Sequence, residues 1–563
     1  MAKALVSPST STGVIKNSRV YWLAFVVYWG IVLFGYDTGV ACVFTLYSLN
    51  DYANRLRSGA VVSSSFFEES FGLLNADGKL NTSKSNAISS NVVSVLQAGA
   101  FFGALVSAPI SSKIGRRVTL LLFTIIFLVG AILTTVANGG SKGLSEIYAG
   151  RVILGFGIGG ISAVSPAYVS ECAPKEIRGR VTGLFQVFVA VGVMLSYWVN
   201  YGIQVNIKPG PQYWRIPFGL QILPAGIMLF GLLTLKESPR YLASVGRTEE
   251  ALRNLAYLRK EPETSDVIIH EMAEIEAQIE EEREARAGLG LREAFFGKGN
   301  FIRFFIAFFI FVLQQWSGQN SVNYYSPQIF AAIGYVNRKN GLLATGVYGI
   351  VKFAVTSIYV FSGAIDRVGR KPSFIVSALG MGTCSFILGA LLKTHPPPSV
   401  AAATAASESG AGPSPASQGM AAMLYFYVTF YSIGWGPLPW VYCADIFPTR
   451  TRHYGMAVAS ASQWLFNFML TKLTLQMETT LGYKMFLMFG AINIGGMGTF
   501  SLLIPETKGR SLEDMDVIFG AITQEQRDAD VAKQERVLDA EVHHHDPEAA
   551  ARASDEKAHE EKV

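Results

Sequence analysis

An all-α integral membrane protein, with twelve transmembrane helices in two six-helix bundles and a helical linker between them, is the fold class this sequence predicts. Three observations carry that reading. Half of the 563 residues are apolar and only 16% are charged, and the mean hydropathy is +0.31, whereas ordinary soluble domains carry about 25% charge. Twelve apolar stretches are long enough to cross a hydrocarbon core, which takes roughly 20 residues of helix for about 30 Å. The third observation is a repeat. IGRR at 114–117 is answered by DRVGRK at 366–371, KEIRGR at 175–180 by PTRTR at 448–452, and LKESPR at 235–240 by IPETKGR at 504–510. Each segment ends an apolar run, so one half of the chain repeats the other, and two matched bundles follow.

The twelve expected spans lie near 20–47, 88–112, 118–137, 147–169, 181–203, 214–235, 301–334, 342–365, 373–392, 420–444, 454–477 and 485–504. Barrel strands are excluded by length and by the absence of strict alternation. The first span is too long, and carries Asp37 too centrally, for a cleaved signal peptide. The chain therefore divides into an N-terminal tail (1–20), a first bundle (21–235), a linker (236–300), a second bundle (301–505) and a C-terminal tail (506–563). In the linker, Ala251, Leu252, Leu255 and Leu258 repeat at helical spacing ahead of a Glu-rich run, the pattern of short amphipathic helices.

Lys113, Arg116, Arg117, Lys175, Arg178, Arg180, Arg367, Arg370, Lys371, Arg450 and Arg452 fall on alternate connections. The positive-inside rule makes that face and both termini cytoplasmic, in a multi-pass protein expected at the plasma membrane. The opposite loop near 48–87 holds the only N-x-S/T sequon, Asn81-Thr82-Ser83, an expected glycosylation site. The Pro, Ala and Ser rich segment 395–419 and the tail from 511 read as disordered, and the tail's His543, His544 and His545 as solvated rather than metal-binding. Cys42, Cys172, Cys384 and Cys443 are scattered, without disulfide or zinc spacing. No Walker A, GxSxG or HExxH sequence and no paired Cys/His set occurs, so no enzyme, cofactor, metal or nucleic-acid partner is expected. GFGIGG at 155–160 lies inside a span, and its glycines read as helix-packing contacts.

Charges inside spans cost about 2.5–3.5 kcal/mol each on insertion scales and are rarely idle. Asp37 and Arg151 are one such set, and Lys352, alone among uncharged residues from 342 to 365, is another. In the seventh span Gln315, Gln319 and Asn323 are four apart, as are Asn320 and Tyr324. Two adjacent stripes of one helix thus carry amides and a phenol, groups that suit vicinal hydroxyls because an amide both donates and accepts. Gly318 and Pro327 in that span, and Gly434, Gly436, Pro437 and Pro439 in the tenth, are expected to break the helices.

An ordered set of motifs resembles the sugar porter family of the major facilitator superfamily. They are GYDTGV at 35–40, GRVILGFGIGG at 150–160, YVSECAPKEIRGR at 168–180, QQWSGQNSVNYYSP at 314–327, GWGPLPWVYCADIFPTRTR at 434–452 and PETKGRSLEDM at 505–515. Within that family, QAGAFFGAL at 97–105 and SYWVNYG at 196–202 look most like fungal quinate and sugar-acid permeases. The resemblance implies a monomeric secondary transporter working by alternating access, with Asp37 and Arg151 coupling a proton. It implies ligand contacts at Gln186, Gln314, Gln315, Asn320 and Trp440, which Tyr324, Trp464 and Asn467 complete, with Lys352 where most members have a neutral amide. It also implies a latch formed by Arg116, Arg117, Glu171, Arg178 and Glu237 in one half and Asp366, Arg370, Asp445, Arg452 and Glu506 in the other. Ser112 and Ser432 stand where acidic residues are usual, which weakens that latch. The expected cargo is a sugar or sugar-like polyhydroxy acid, quinate or a uronic acid being favoured by Lys352. A neutral hexose or pentose is the alternative cargo, and a nutrient sensor on the same scaffold the alternative class.

Overall fold

A computed structural model describes residues 16–40, 82–138, 140–207, 212–286, 291–297, 299–335, 338–397, 413–447, 451–508, 515, 517–520 and 525. Among them every regular element is helical. Ten helices are long and apolar enough to cross a membrane. In the first half the spans are Ser18–Val40, Thr82–Ile114, Arg116–Val136, Gly140–Cys172, Lys175–Asn206, and a sixth made of Gln212–Leu220 and Ile222–Thr234. In the second half Asn300–Trp316 joins Gln319–Ala332 as the seventh span, followed by Arg338–Phe361 and Arg370–Thr394. The twelfth runs from Tyr483 to Leu503 with a π-helical stretch, Ile492–Gly498, in its middle.

The tenth and eleventh spans are the two outside that apolar set, for identifiable reasons. The tenth is cut between Pro415–Ser432 and Leu438–Ile446 by the Gly434 to Pro437 turn. The eleventh, Arg452–Leu481, is long enough but carries Gln463, Asn467 and Lys472.

The outward faces of the spans are apolar, with Phe230, Ile358 and Leu503 each more than two-thirds exposed. Such a surface is stable only against lipid. Inside, glycines bring backbones together. A Cβ on Gly155 or Gly159 would stand 2.1 Å from the carbonyl of Leu96 or Ala100, and one on Gly99 or Gly103 would meet those of Val152 and Phe156. Two small-x-x-x-small stripes therefore face each other, and the second and fourth spans pack through their backbones.

The linker folds into Pro239–Ser244, Thr248–Arg259, Asp266–Arg286 and Leu291–Phe296. Tyr241, Leu242, Ala251, Leu255, Ala256, Ile268 and Met272 form its own small core, whereas Leu258 turns into the core of the first half. Arg259 ties it down, pairing with Glu271 at 2.6 Å and donating from Nη1 to the Cys172 carbonyl at 2.9 Å. The Arg19 guanidinium, at the foot of the first span, sits 4.1 Å over the Tyr257 ring.

Candidate functional site

Asp37 and Arg151 meet in the first half, 2% and 1% exposed. Arg151 Nη1 donates to Asp37 Oδ1 at 2.8 Å, and Gln221 Nε2 donates to the same oxygen at 2.7 Å. Arg151 Nε reaches the Val92 carbonyl at 3.2 Å. Asp37 Oδ2 is buried without a hydrogen-bond partner among the described residues. One carboxylate oxygen is thus held by two donors while the other is open to accept a proton.

The second half supplies an amide chain. Gln314 Nε2 donates to the Trp435 carbonyl at 2.7 Å, Gln315 Nε2 to Gln314 Oε1 at 3.1 Å, and Asn320 Nδ2 to Gln315 Oε1 at 2.5 Å and to Asn467 Oδ1 at 3.2 Å. Asn323 Nδ2 donates to Asn320 Oδ1 at 3.3 Å, and Asn323 Oδ1 accepts from Gln319 Nε2 at 3.0 Å and from Lys352 Nζ at 3.4 Å. Lys352 is 3% exposed, with its Nζ 5.9 Å from the Tyr431 ring centroid. It makes no ion pair among the described residues, and Asp37 is occupied by Arg151 and Gln221.

The two clusters touch. Asn467 Nδ2 donates to the Tyr324 hydroxyl at 3.3 Å, and Gln97, in the amide orientation that satisfies both of its polar atoms, accepts from that hydroxyl at 2.9 Å. Thr38, next to Asp37, also contacts the Tyr324 hydroxyl. Tyr197 of the fifth span donates to the Asn323 carbonyl at 2.6 Å. On the side away from the basic loops, the outer piece of the seventh span therefore lies against the first half.

That piece is set by a break. Gly318 has φ +96°, and a Cβ there would stand 2.7 Å from the Phe489 ring. The break frees the Ser317 carbonyl, which accepts from the Tyr427 hydroxyl at 2.9 Å and from Asn493 Nδ2 at 3.2 Å. Asn493 lies in the π-helical stretch of the twelfth span, where the extra residue per turn rotates it toward the break.

Trp464 is fully buried and packs on Phe34 of the first half, with centroids 5.2 Å apart. Trp440 is half-buried against Phe311, at 4.7 Å. Gln186 is half-buried and makes no hydrogen bond among the described residues. The structure thus gathers Gln314, Gln315, Asn320, Tyr324, Lys352 and Asn467 into one network and leaves Gln186, Trp440 and Trp464 outside its hydrogen bonds. Gln97, Gln221, Lys472 and Asn493 were passed over in the sequence, although each is a polar side chain within a span, the signal that singled out Lys352.

On the basic face the repeat reappears atom for atom. Glu237 accepts from the backbone N–H of Arg116 and Arg117 at 3.0 and 3.1 Å; Glu506 accepts from those of Arg370 and Lys371 at 3.0 and 2.8 Å. Arg116 pairs with Glu171 at 2.9 Å and Arg370 with Asp445 at 3.2 Å. Each carboxylate closes the open N-terminus of a helix. Partial burial would raise the Glu506 carboxyl, but N–H groups of Lys508, Arg370, Lys371 and Thr507 outweigh it and hold the group below its ordinary value. These contacts lie within each half. Arg178 Nη2 donates to the Ala173 carbonyl at 3.3 Å. Asn81, Cys42 and the side chains of Asp366 and Arg452 lie outside the described residues.

This fold and polar seam define a major facilitator transporter. The family model for "Sugar (and other) transporter" matches residues 23–519, and the chain belongs to that family. A probable quinate permease of Aspergillus niger is 36% identical over 511 residues, covering 90% of this chain and 88% of its own. The quinate permease of Emericella nidulans is 35% identical over 522 residues, covering 92% and 91%. Among solved structures, the proton:xylose symporter XylE bound to 6-bromo-6-deoxy-D-glucose is 26% identical and covers 90% of this chain and 100% of its own, at TM-score 0.69. The protein is a multi-pass membrane transporter, not an enzyme.

Proposed function

We propose that the protein couples proton entry to uptake of a polyhydroxylated ring compound bearing a carboxylate, of the quinate or uronic acid kind, by alternating access. The observation that carries the substrate class is Lys352, a buried cation whose contacts are a neutral amide and an aromatic face. A substrate carboxylate is the charge-assisted partner it lacks. Gln314, Gln315, Asn320 and Asn467 would exchange their mutual hydrogen bonds for those of ring hydroxyls, with Gln186, Trp440 and Trp464 completing the walls. The quinate permeases named above agree with this class.

Asp37 is the proton carrier in this reading. Its Oδ2, without a partner among the described residues, can take a proton without breaking a hydrogen bond there, while Arg151 and Gln221 fix Oδ1. Protonation removes the charge that holds Arg151, and Tyr324, which touches both clusters, lets loading of one site be felt at the other. The basic face is cytoplasmic with both termini, the membrane is the cell surface, and the Asn81-Thr82-Ser83 sequon is a glycosylation site. The carboxylate-capped helix starts, with Arg178, Asp366 and Arg452, form the latch on the inner side.

The test is uptake of labelled quinate by cells lacking their own transporter. Accumulation should collapse with a protonophore, excess galacturonate should compete, and Lys352→Asn should lose acid uptake. Uptake of xylose undisturbed by either acid, in wild type and variant alike, would refute the acid reading and leave a neutral sugar as the cargo.

A further inference from the structure

Lys472 is a further cation within the spans, besides Arg151 and Lys352, and it takes no part in either of their clusters. It lies five residues beyond Asn467 on the eleventh span, about 7.5 Å further from the basic face at 1.5 Å per residue. It is half-buried, and its Nζ donates to Asn91 Oδ1 of the second span, across the seam between the halves. Tyr148 of the fourth span engages Asn91 as well. Neither partner is charged, and Lys472 makes no ion pair among the described residues. The nearest carboxylate on its own helix, Glu478, is six residues on, about 240° around the axis and on another face.

A seam that only had to be held shut would be served by two amides, without a charge in a span. We propose that Lys472 captures the anionic substrate at the mouth of the pathway, and so determines specificity together with Lys352; this rests on the acid reading above. When the halves part on the side away from the basic loops, the contact with Asn91 opens and the ammonium faces the entrance. A hydrogen bond from an ammonium to a carboxylate is about twice as strong as one to a neutral amide, so an arriving acid replaces Asn91 readily. The substrate then moves inward to the amide network and Lys352, and Lys472 returns to Asn91 as the mouth closes. A cation at such a rim acts mainly on the rate of encounter, which salt screens.

The experiment compares Lys472→Gln and Lys472→Arg with wild type for labelled quinate uptake, at low and high salt, with cell-surface protein quantified. Lys472→Gln should raise KM roughly tenfold, a loss of about 1.4 kcal/mol in capture, with kcat nearly unchanged and the salt dependence of KM removed; Lys472→Arg should restore both. An unchanged KM in Lys472→Gln, or a fall in kcat that arginine does not restore, overturns the proposal and leaves a structural gate. Should Lys472→Gln fail to reach the surface, a wild-type quinate KM indifferent to salt overturns it equally. A wild-type protein that takes up xylose but no quinate refutes the acid reading itself, whereas quinate uptake that ignores Lys472 refutes only the capture step.

Discussion

Replacing Lys352 by methionine should make the protein more stable and less able to carry an acid. A lysine at this depth costs about 2.5–3.5 kcal/mol to place in the membrane. What offsets that cost is one hydrogen bond to Asn323 at 3.4 Å and a ring contact at 5.9 Å, together worth about 1 kcal/mol. Roughly 2 kcal/mol is left uncompensated, and methionine, unbranched and of similar reach, removes the charge while filling the same space. The assay is thermal unfolding in detergent with and without quinate. The variant should melt above wild type, and quinate should raise the Tm of wild type alone, since a ligand stabilises only the state it binds. A variant that melts lower and is still stabilised by quinate would refute the reasoning, because Lys352 would then be a satisfied structural residue.

Asp37→Asn should keep exchange of labelled for unlabelled substrate across the membrane while abolishing accumulation against a gradient; full accumulation would remove Asp37 from the coupling step. Gly318→Ala forces a side chain into φ +96° and against the Phe489 ring at 2.7 Å, so a loss of about 1–3 kcal/mol is expected. An unchanged Tm would show that the break carries no such constraint. Glu506→Gln should lower the Tm at neutral pH. Because the folded carboxyl titrates below its ordinary value, its contribution is present above that value and lost as pH falls through the folded one. The gap between wild type and variant should therefore close on acidification, and a gap independent of pH would contradict the helix-capping role.

Much of this was legible in the sequence because a bilayer punishes error. Twelve spans could be counted since each needs its own apolar length, and Asp37, Arg151 and Lys352 stood out as charges among apolar neighbours. Lys472 escaped by lying in a span already polar with Gln463, Asn467 and Thr471. The joining of Gln221 to Asp37 depends on how the first and sixth spans are turned against each other, which no periodicity fixes. INIGGMG reads as an ordinary apolar run, yet it is π-helical and turns Asn493 onto the Ser317 carbonyl. The seventh span carried two breakers, and both act: Gly318 ends one helix in a left-handed turn that glycine accepts at little cost, and the backbone leaves helical geometry again at Tyr325, two residues before Pro327, whose ring lacks the N–H and crowds the preceding turn.

The most direct test of the account is the affinity of quinate and of its uncharged methyl ester for wild type and for Lys352→Gln. If a buried ammonium receives the substrate carboxylate, wild type should prefer the acid by about tenfold or more, and the variant should bind acid and ester alike. An equal preference for the acid in both proteins would place the carboxylate elsewhere and contradict the assignment of Lys352.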